Sequence, residues 1–248
     1  MAVRSIRNNS EEAGGYRPGD HQARRRILRF LLRYPGWLLM RVAPPEGLEN
    51  IPVKGPAIVM INHIAWVDPL VALHTSPRLI VPLGKIEAFR WPVIGLLPRL
   101  WGAIPVDRNG VDSKALRMAL DALKAGEVIL VAPEGTRNEE LQSGTEGVAY
   151  LATRADVAII PAVLEDTEGF PTFPVLKRWW GPRAKIKYGT PMRFPLEFRK
   201  ARREDLRRLM DAAMYALAEM LPESRRGVYS DLSKAETTLL ERGRQPLD

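Results

Sequence analysis

From Pro44 onward the chain alternates between short runs rich in Val and Ile and longer segments of helical periodicity, and this alternation restricts the fold more than any other feature. The runs "PAIVMIN", "RLIVPLG", "GAIPV", "EVILVAP", "VAIIPAVLE" and "AKIKYG" are bounded by Gly or Pro and read as buried strands. Between them, "DSKALRMALDALKAGE" predicts a helix capped by Asp112 or Ser113, with Leu116, Ala119, Leu120 and Leu123 on one face and Gly126 as its stop. "TEGVAYLATRAD" predicts a second. In "REDLRRLMDAAMYALAEMLPE" the residues Leu206, Leu209, Met210, Ala213, Met214 and Leu217 form one stripe, read as core packing. Strands alternating with helices predict an α/β domain with a mainly parallel or mixed sheet flanked by helices. The strand order is not contained in the pattern.

With 248 residues, 46% of them hydrophobic, the chain can bury one substantial core, so a single domain over residues 44–230 is expected. Residues 1–26 read as a polar tail without the apolar stretch of a secretory signal, and residues 231–248 as a polar C-terminal tail. Residues 27–43, "ILRFLLRYPGWLLMRVA", mix Leu, Phe and Trp with Arg29, Arg33 and Arg41. They suit an amphipathic helix in a membrane interface, or else a helix packed on the domain's own core. No uninterrupted apolar run reaches the roughly 18 residues of a simple spanning helix.

The absence of cysteine excludes disulfides and thiolate chemistry. A net charge of +8 favours polyanionic partners. Nucleic acid is disfavoured among these, because there is no zinc-finger spacing, RNP-like aromatic block or clear helix-turn-helix. An anionic membrane surface remains.

The stretch "MINHIAWVDPL" ends a strand on Asn62-His63, with Asp68 following. Alone, His63 could be a structural histidine and Asp68 a helix cap. At a strand end in an α/β fold, a turn into a helix lets the carboxylate accept one imidazole N–H and leave the other nitrogen to take a proton. That is a general base with its orienting group. No Gly-x-Ser-x-Gly elbow supplies a nucleophile. The remaining histidines, His21 and His74, form no metal pattern with it, so no metal is expected. Proton removal from a substrate's own hydroxyl or amine is the better-supported chemistry. Two further strand ends carry polar residues. In "VILVAPEGTRNEE", Gly135 permits a tight turn, Thr136 can cap or donate, and Arg137 offers a fork for phosphate; "WGAIPVDRNG" ends in Asp107-Arg108.

Four stretches in order, "NHIAWVD", "GKIEAFRWPVIGLLPRLWGAIPVDR", "PEGTR" and "AIIPAVLE", resemble the four motif blocks of the PlsC-type lysophospholipid acyltransferases. The wider likeness runs from about Glu46 to Tyr229. The resemblance implies transfer of a fatty acyl group from coenzyme A or acyl carrier protein to the free hydroxyl of lysophosphatidic acid, giving phosphatidic acid in phospholipid biosynthesis. It implies direct transfer without an acyl-enzyme. His63 would act as base and Asp68 as its orienter, with Arg108 and Arg137 on the phosphate and Glu134, Gly135 and Thr136 forming the loop of that phosphate site. The acyl thioester is then a co-substrate, and no cofactor is implied. The expected location is peripheral or monotopic, on the cytoplasmic face of the cell membrane. "FRWPVIGLLPRLWG" suits either an acyl groove or ordinary core. Ala65 stands where many members have Ser, and Thr145 where many have Lys, which puts acceptor choice in doubt. Acylation of glycerol-3-phosphate or another lysophospholipid is the nearest alternative; a non-catalytic protein binding anionic lipid is the alternative of a different class.

Overall fold

The computed structural model describes residues 19–34, 41–92, 95–168 and 183–243. All six predicted strands are present: β1 (Ala57–Ile61), β2 (Ile80–Lys85), β3 (Ile104–Val106), β4 (Val128–Val131), β5 (Ala158–Glu165) and β6 (Lys185–Tyr188). Two short strands, β7 (Met192–Arg193) and β8 (Glu241–Arg242), were not anticipated. The sheet runs β3-β2-β4-β1-β5-β7-β8, with β6 also paired to β5. The first five in that row are parallel and the rest join antiparallel, so the sheet is mixed.

The central parallel strands β1, β4 and β5 lack a polar face because both sides of the sheet are covered there, whereas β6 alternates exposed lysines with buried Ile186 and Tyr188. Along β1, Ile58 and Met60 enter one core with α4 (Ser113–Lys124), α5 (Gly147–Ala155) and α6 (Arg203–Ala218). Ala57, Val59 and Ile61 enter the other, which is closed by α1 (Gly19–Arg33), α2 (Asp68–Thr75) and α3 (Leu96–Trp101). Every residue of β1 is at most 1% exposed. At about 1.5–3 kcal/mol for each large buried side chain, this strand is a rigid mount for whatever follows it.

The Asp112 carboxylate caps α4, accepting from the Lys114 and Ala115 amides, and Gly126 follows the helix at φ +80°. The stripe on α6 faces the core as expected.

The two ends differ from the expectation. The N-terminal helix starts at Gly19 rather than Ile27, so the basic run Arg24-Arg25-Arg26 lies inside it. Residues 35–40, in the second half of the expected interfacial segment, lie outside the described residues. One face of α1 packs on the domain through Leu28, Leu32 and the fully buried Arg25, whose guanidinium bonds the Trp101 and Gly102 carbonyls and Glu127 at 2.6 Å. Ile27, Phe30, Leu31 and Tyr34 form an exposed apolar ridge on the opposite side. Packing on the domain's own core therefore holds for one face of this helix, and the other face is exposed. No helix among the described residues is long and apolar enough to cross a membrane.

Residues 230–243 do not leave the domain as a tail. Leu239 and Leu240 are buried, β8 pairs with β7, and Arg208–Glu236 and Arg242–Glu219 ion pairs hold the segment to α6 and the turn after it. Two leucines among charged residues were too weak an apolar signal to reveal this.

Candidate active site

The ends of β1, β2, β3 and β4 open into one cavity of about 530 Å³, lined by His63, Lys85, Glu87, Arg108, Gly135, Thr136 and Arg137 and continuing between α2 and α3. This volume is typical of small-molecule sites. Trp66, Leu70, Leu73, Trp91, Leu97 and Trp101 give the continuation its apolar walls. The stretch "FRWPVIGLLPRLWG" thus contributes to a groove as well as to core.

Asn62 ends β1 by using its side chain as if it were backbone. Its amide donates to the Leu164 carbonyl at 3.1 Å and its Oδ1 accepts from the Leu164 N–H at 2.7 Å. The sheet pairing is completed there, and His63 is released toward the cavity. Its Nδ1 lies 3.0 Å from Asp68 Oδ2, which also accepts the Ile64 and Ala65 amides at 2.6 and 2.8 Å. Asp68 is fully buried as the first residue of α2, with Pro69 after it. A carboxylate fixed by two backbone amides holds the imidazole with its proton on Nδ1, leaving Nε2 as the basic nitrogen. The expected His-Asp pair is present with that geometry.

Arg108 is exposed at the cavity mouth, and partial desolvation of its guanidinium pulls it below its ordinary pKa, against the support of Glu87 and with the help of Arg137. With the Arg137 charge near enough to act on Arg108, the two guanidiniums create a positive pocket that an anion would relieve. Gly135 sits at φ +71°, where a larger residue would be strained, although a Cβ there would meet the Arg108 side chain only at an ordinary 3.8 Å.

Glu134 differs from the other members of the expected phosphate set. It is buried away from the cavity lining, with its Oε2 accepting the Gln142 amide at 2.9 Å. Burial pushes its carboxyl up to about 7, against the Gln142 and His63 backbone amides, which favour the anion, and with the Asp68 charge adding to the rise. It fastens the loop of Gly135 and Thr136 beneath the His63 turn, an attachment that the Asn138 amide strengthens by donating to the His63 carbonyl at 2.8 Å. Because native Glu134 binds its proton more tightly than the unfolded chain does, its contribution to stability falls as pH rises from about 4.5 to about 7. Glu134→Gln should therefore flatten the pH dependence of Tm across that window and raise Tm at pH 8 by several degrees, for a difference on the order of 3 kcal/mol. An unaltered Tm–pH curve by calorimetry would show that Glu134 is ionised as usual.

Lys85 and Glu87 are cavity residues that sequence reasoning passed over. Lys85 ends β2 and Glu87 follows it, at the edge where the other site residues gather, and knowing the strand order would have found them. Thr145 lies outside the cavity lining, with its hydroxyl donating to the Pro133 carbonyl at 3.0 Å. His21 packs against Gly102 and His74 bonds the Leu32 carbonyl, both away from His63. Among the described residues, no group of three His, Cys, Asp or Glu side chains is placed to hold a metal.

The sequence profile of the Acyltransferase family matches residues 45–165. The chain is 31% identical over 148 residues to a 1-acyl-sn-glycerol-3-phosphate acyltransferase of Borreliella burgdorferi, covering 58% of this chain and 59% of that one. It is 27% identical over 118 residues to the enzyme of the same description from Bacillus subtilis, covering 47% and 59%. The matched part thus spans about three-fifths of those relatives' length. The crystal structure of the 1-acyl-sn-glycerophosphate acyltransferase PlsC from Thermotoga maritima has the same fold, with a TM-score of 0.57 and 22% identity over 87% of this chain and 83% of that one. The segment that carries His63, Asp68, Arg108 and Arg137 is thus the part of this chain that is similar to the Acyltransferase family.

Proposed function

We propose that the chain is an O-acyltransferase that moves a fatty acyl group from an acyl thioester, of coenzyme A or acyl carrier protein, to the free hydroxyl of lysophosphatidic acid, forming phosphatidic acid. The observation that carries this reading is His63 on the buried Asp68, at a cavity with two arginines on one side and an apolar groove on the other. The names of the similar proteins support the same acceptor. Nε2 of His63 takes the hydroxyl proton as the oxygen attacks the thioester carbonyl. The carbon–sulfur bond then breaks, and the thiolate receives the proton from the imidazolium. A thiolate leaves readily, so a placed base and correct orientation are sufficient help. The thioester is the co-substrate, and the reaction as written uses no other group.

Arg108 and Arg137 hold the acceptor's phosphate, and the groove between α2 and α3 takes an acyl chain. The ridge Ile27, Phe30, Leu31 and Tyr34 rests in the membrane interface as a peripheral contact, on the cytoplasmic face if the donor is a cytoplasmic thioester. Arg137→Lys should raise the acceptor KM about tenfold with little change in the thioester KM, because a point charge replaces a planar fork. Equal effects on both KM values would remove Arg137 from the phosphate.

The direct test is thiol release from acyl-coenzyme A and acyl-acyl carrier protein with lysophosphatidic acid vesicles, with His63→Ala as control and products identified by mass spectrometry. Phosphatidic acid formed only with His63 intact is the expected result. Binding without turnover would favour a non-catalytic lipid-binding protein. Turnover only with glycerol-3-phosphate or a different lysophospholipid would reassign the acceptor.

A further inference from the structure

A second groove, of about 340 Å³, lies at the other end of the strands that carry the active site. It is formed by α1 together with the segments that lead into β2 and β4, and it shares no residue with the catalytic cavity. Crossing the sheet along β2 or β4 separates the two by roughly 15–20 Å. Arg25, Arg26, Arg29 and Arg78 line it against one carboxylate, Glu127, which is paired with Arg25. The groove therefore carries a surplus of positive charge.

The individual arginines are held in ways that leave donors over. Arg78 is clamped by backbone carbonyls, with Nη1 donating to Pro52 and Gly55 at 3.0 and 2.6 Å and Nη2 to Gly126 at 2.9 Å. Arg29 donates from Nη1 to the Pro77 carbonyl at 3.2 Å. Since each guanidinium has five N–H groups, most of those on Arg29 and two on Arg78 have no partner among the described residues. Burial, then the charges of Arg33 and Arg26, pull Arg29 below its ordinary pKa. Arg26, Arg29 and Arg33 are crowded together, and the one carboxylate of the groove, Glu127, is paired with Arg25 instead.

Helical spacing connects the groove to the apolar ridge. Arg26, Arg29 and Arg33 stand at i, i+3 and i+7, forming a basic seam beside the stripe of Ile27, Phe30, Leu31 and Tyr34. A molecule with its phosphate in the groove can lay its hydrocarbon along that stripe. Soluble phosphate compounds would make no use of this adjacency.

We propose that this groove is a binding site for the headgroup of an anionic phospholipid, separate from the catalytic cavity, with Arg26 and Arg29 of α1 and Arg78 before β2 holding the phosphate while the acyl chains lie against the exposed ridge. The assignment rests on the reading of α1 as a membrane contact. It adds a particular lipid class and a defined set of ligands, and it orients α1 with its basic flank at headgroup depth.

The test is flotation of the full chain with phosphatidylcholine vesicles, with and without phosphatidylglycerol. Arg26→Gln with Arg29→Gln should weaken binding to the anionic vesicles roughly thirtyfold and leave binding to neutral vesicles unchanged. Arg26→Gln alone, which removes no hydrogen bond seen among the described residues, should give roughly fivefold. Lys114→Gln with Arg117→Gln, which removes the same charge from α4, should have little effect. Equal losses in the two double variants would reduce the groove to net charge and overturn the proposal. Inorganic phosphate at matched ionic strength should not displace the vesicles; displacement, with saturable phosphate binding in the absence of lipid, would make free phosphate the ligand and overturn it as well. Phe30→Ser with Leu31→Ser should abolish binding to both kinds of vesicle, and unchanged binding would place the membrane contact elsewhere. Acyl transfer by the unaltered chain on detergent-dispersed lysophosphatidic acid tests the enzymatic reading independently of all these arms.

Discussion

His63→Ala should lower kcat/KM for acyl transfer by about a hundredfold to ten-thousandfold while leaving the far-ultraviolet circular dichroism unchanged. The size follows from the position of the residue. His63 leaves the sheet immediately after the Asn62–Leu164 closure and presents Nε2 to the cavity, while Nδ1 is tied to Asp68. Removing the ring deletes the proton acceptor and leaves intact β1, which is buried by its own Ile and Val side chains. The side chain of His63 is partly open to the cavity, so its loss costs little packing. The residual rate measures what orientation and the arginine pocket supply without a base. A variant within tenfold of the unaltered chain would show that the proton goes elsewhere.

Much of this site was legible in the sequence because its parts sit at ends of strands, and strands buried on both faces announce themselves as continuous Val and Ile runs. The six runs, the capped helix from Asp112 and the His63–Asp68 pair all depend on local chemistry, and all are present. Features that depend on strand order were not legible. The cavity forms because β2 and β4 lie side by side, with β3 and β1 flanking them, which brings Lys85 and Glu87 to residues more than 40 positions away. Glu134 was grouped with phosphate-binding residues because it shares a turn with Gly135 and Arg137. Its inward side chain follows from the fold of the 133–145 loop, where Gln142 returns to meet it. Beyond Tyr229 a charged segment conceals two core leucines and an edge strand. On α1 periodicity failed for another reason: the helix is apolar on two opposite faces, and one of its buried contacts is the charged Arg25.

Asp68→Asn and Asp68→Ala should separate the two duties of this carboxylate. One oxygen, Oδ2, receives the Ile64 and Ala65 amides as well as the imidazole. In the asparagine variant the side-chain carbonyl can keep these three donors, so the turn persists, but the charge that steadies the imidazolium is gone. Activity should fall about a hundredfold or more, with a loss of roughly 1–3 kcal/mol in stability from the newly buried amide hydrogens. In the alanine variant both backbone amides lose their acceptor inside the protein, and the loss should approach about 3–5 kcal/mol, readable as a clear drop in Tm. Adding His63→Ala to Asp68→Asn decides whether the pair works as a unit. If Asp68 acts on the reaction through the ring, the double variant should be no slower than His63→Ala alone. Multiplying losses would mean that Asp68 shapes the reaction by another route, through the charge it places beside Glu134 or through the start of α2 that borders the groove.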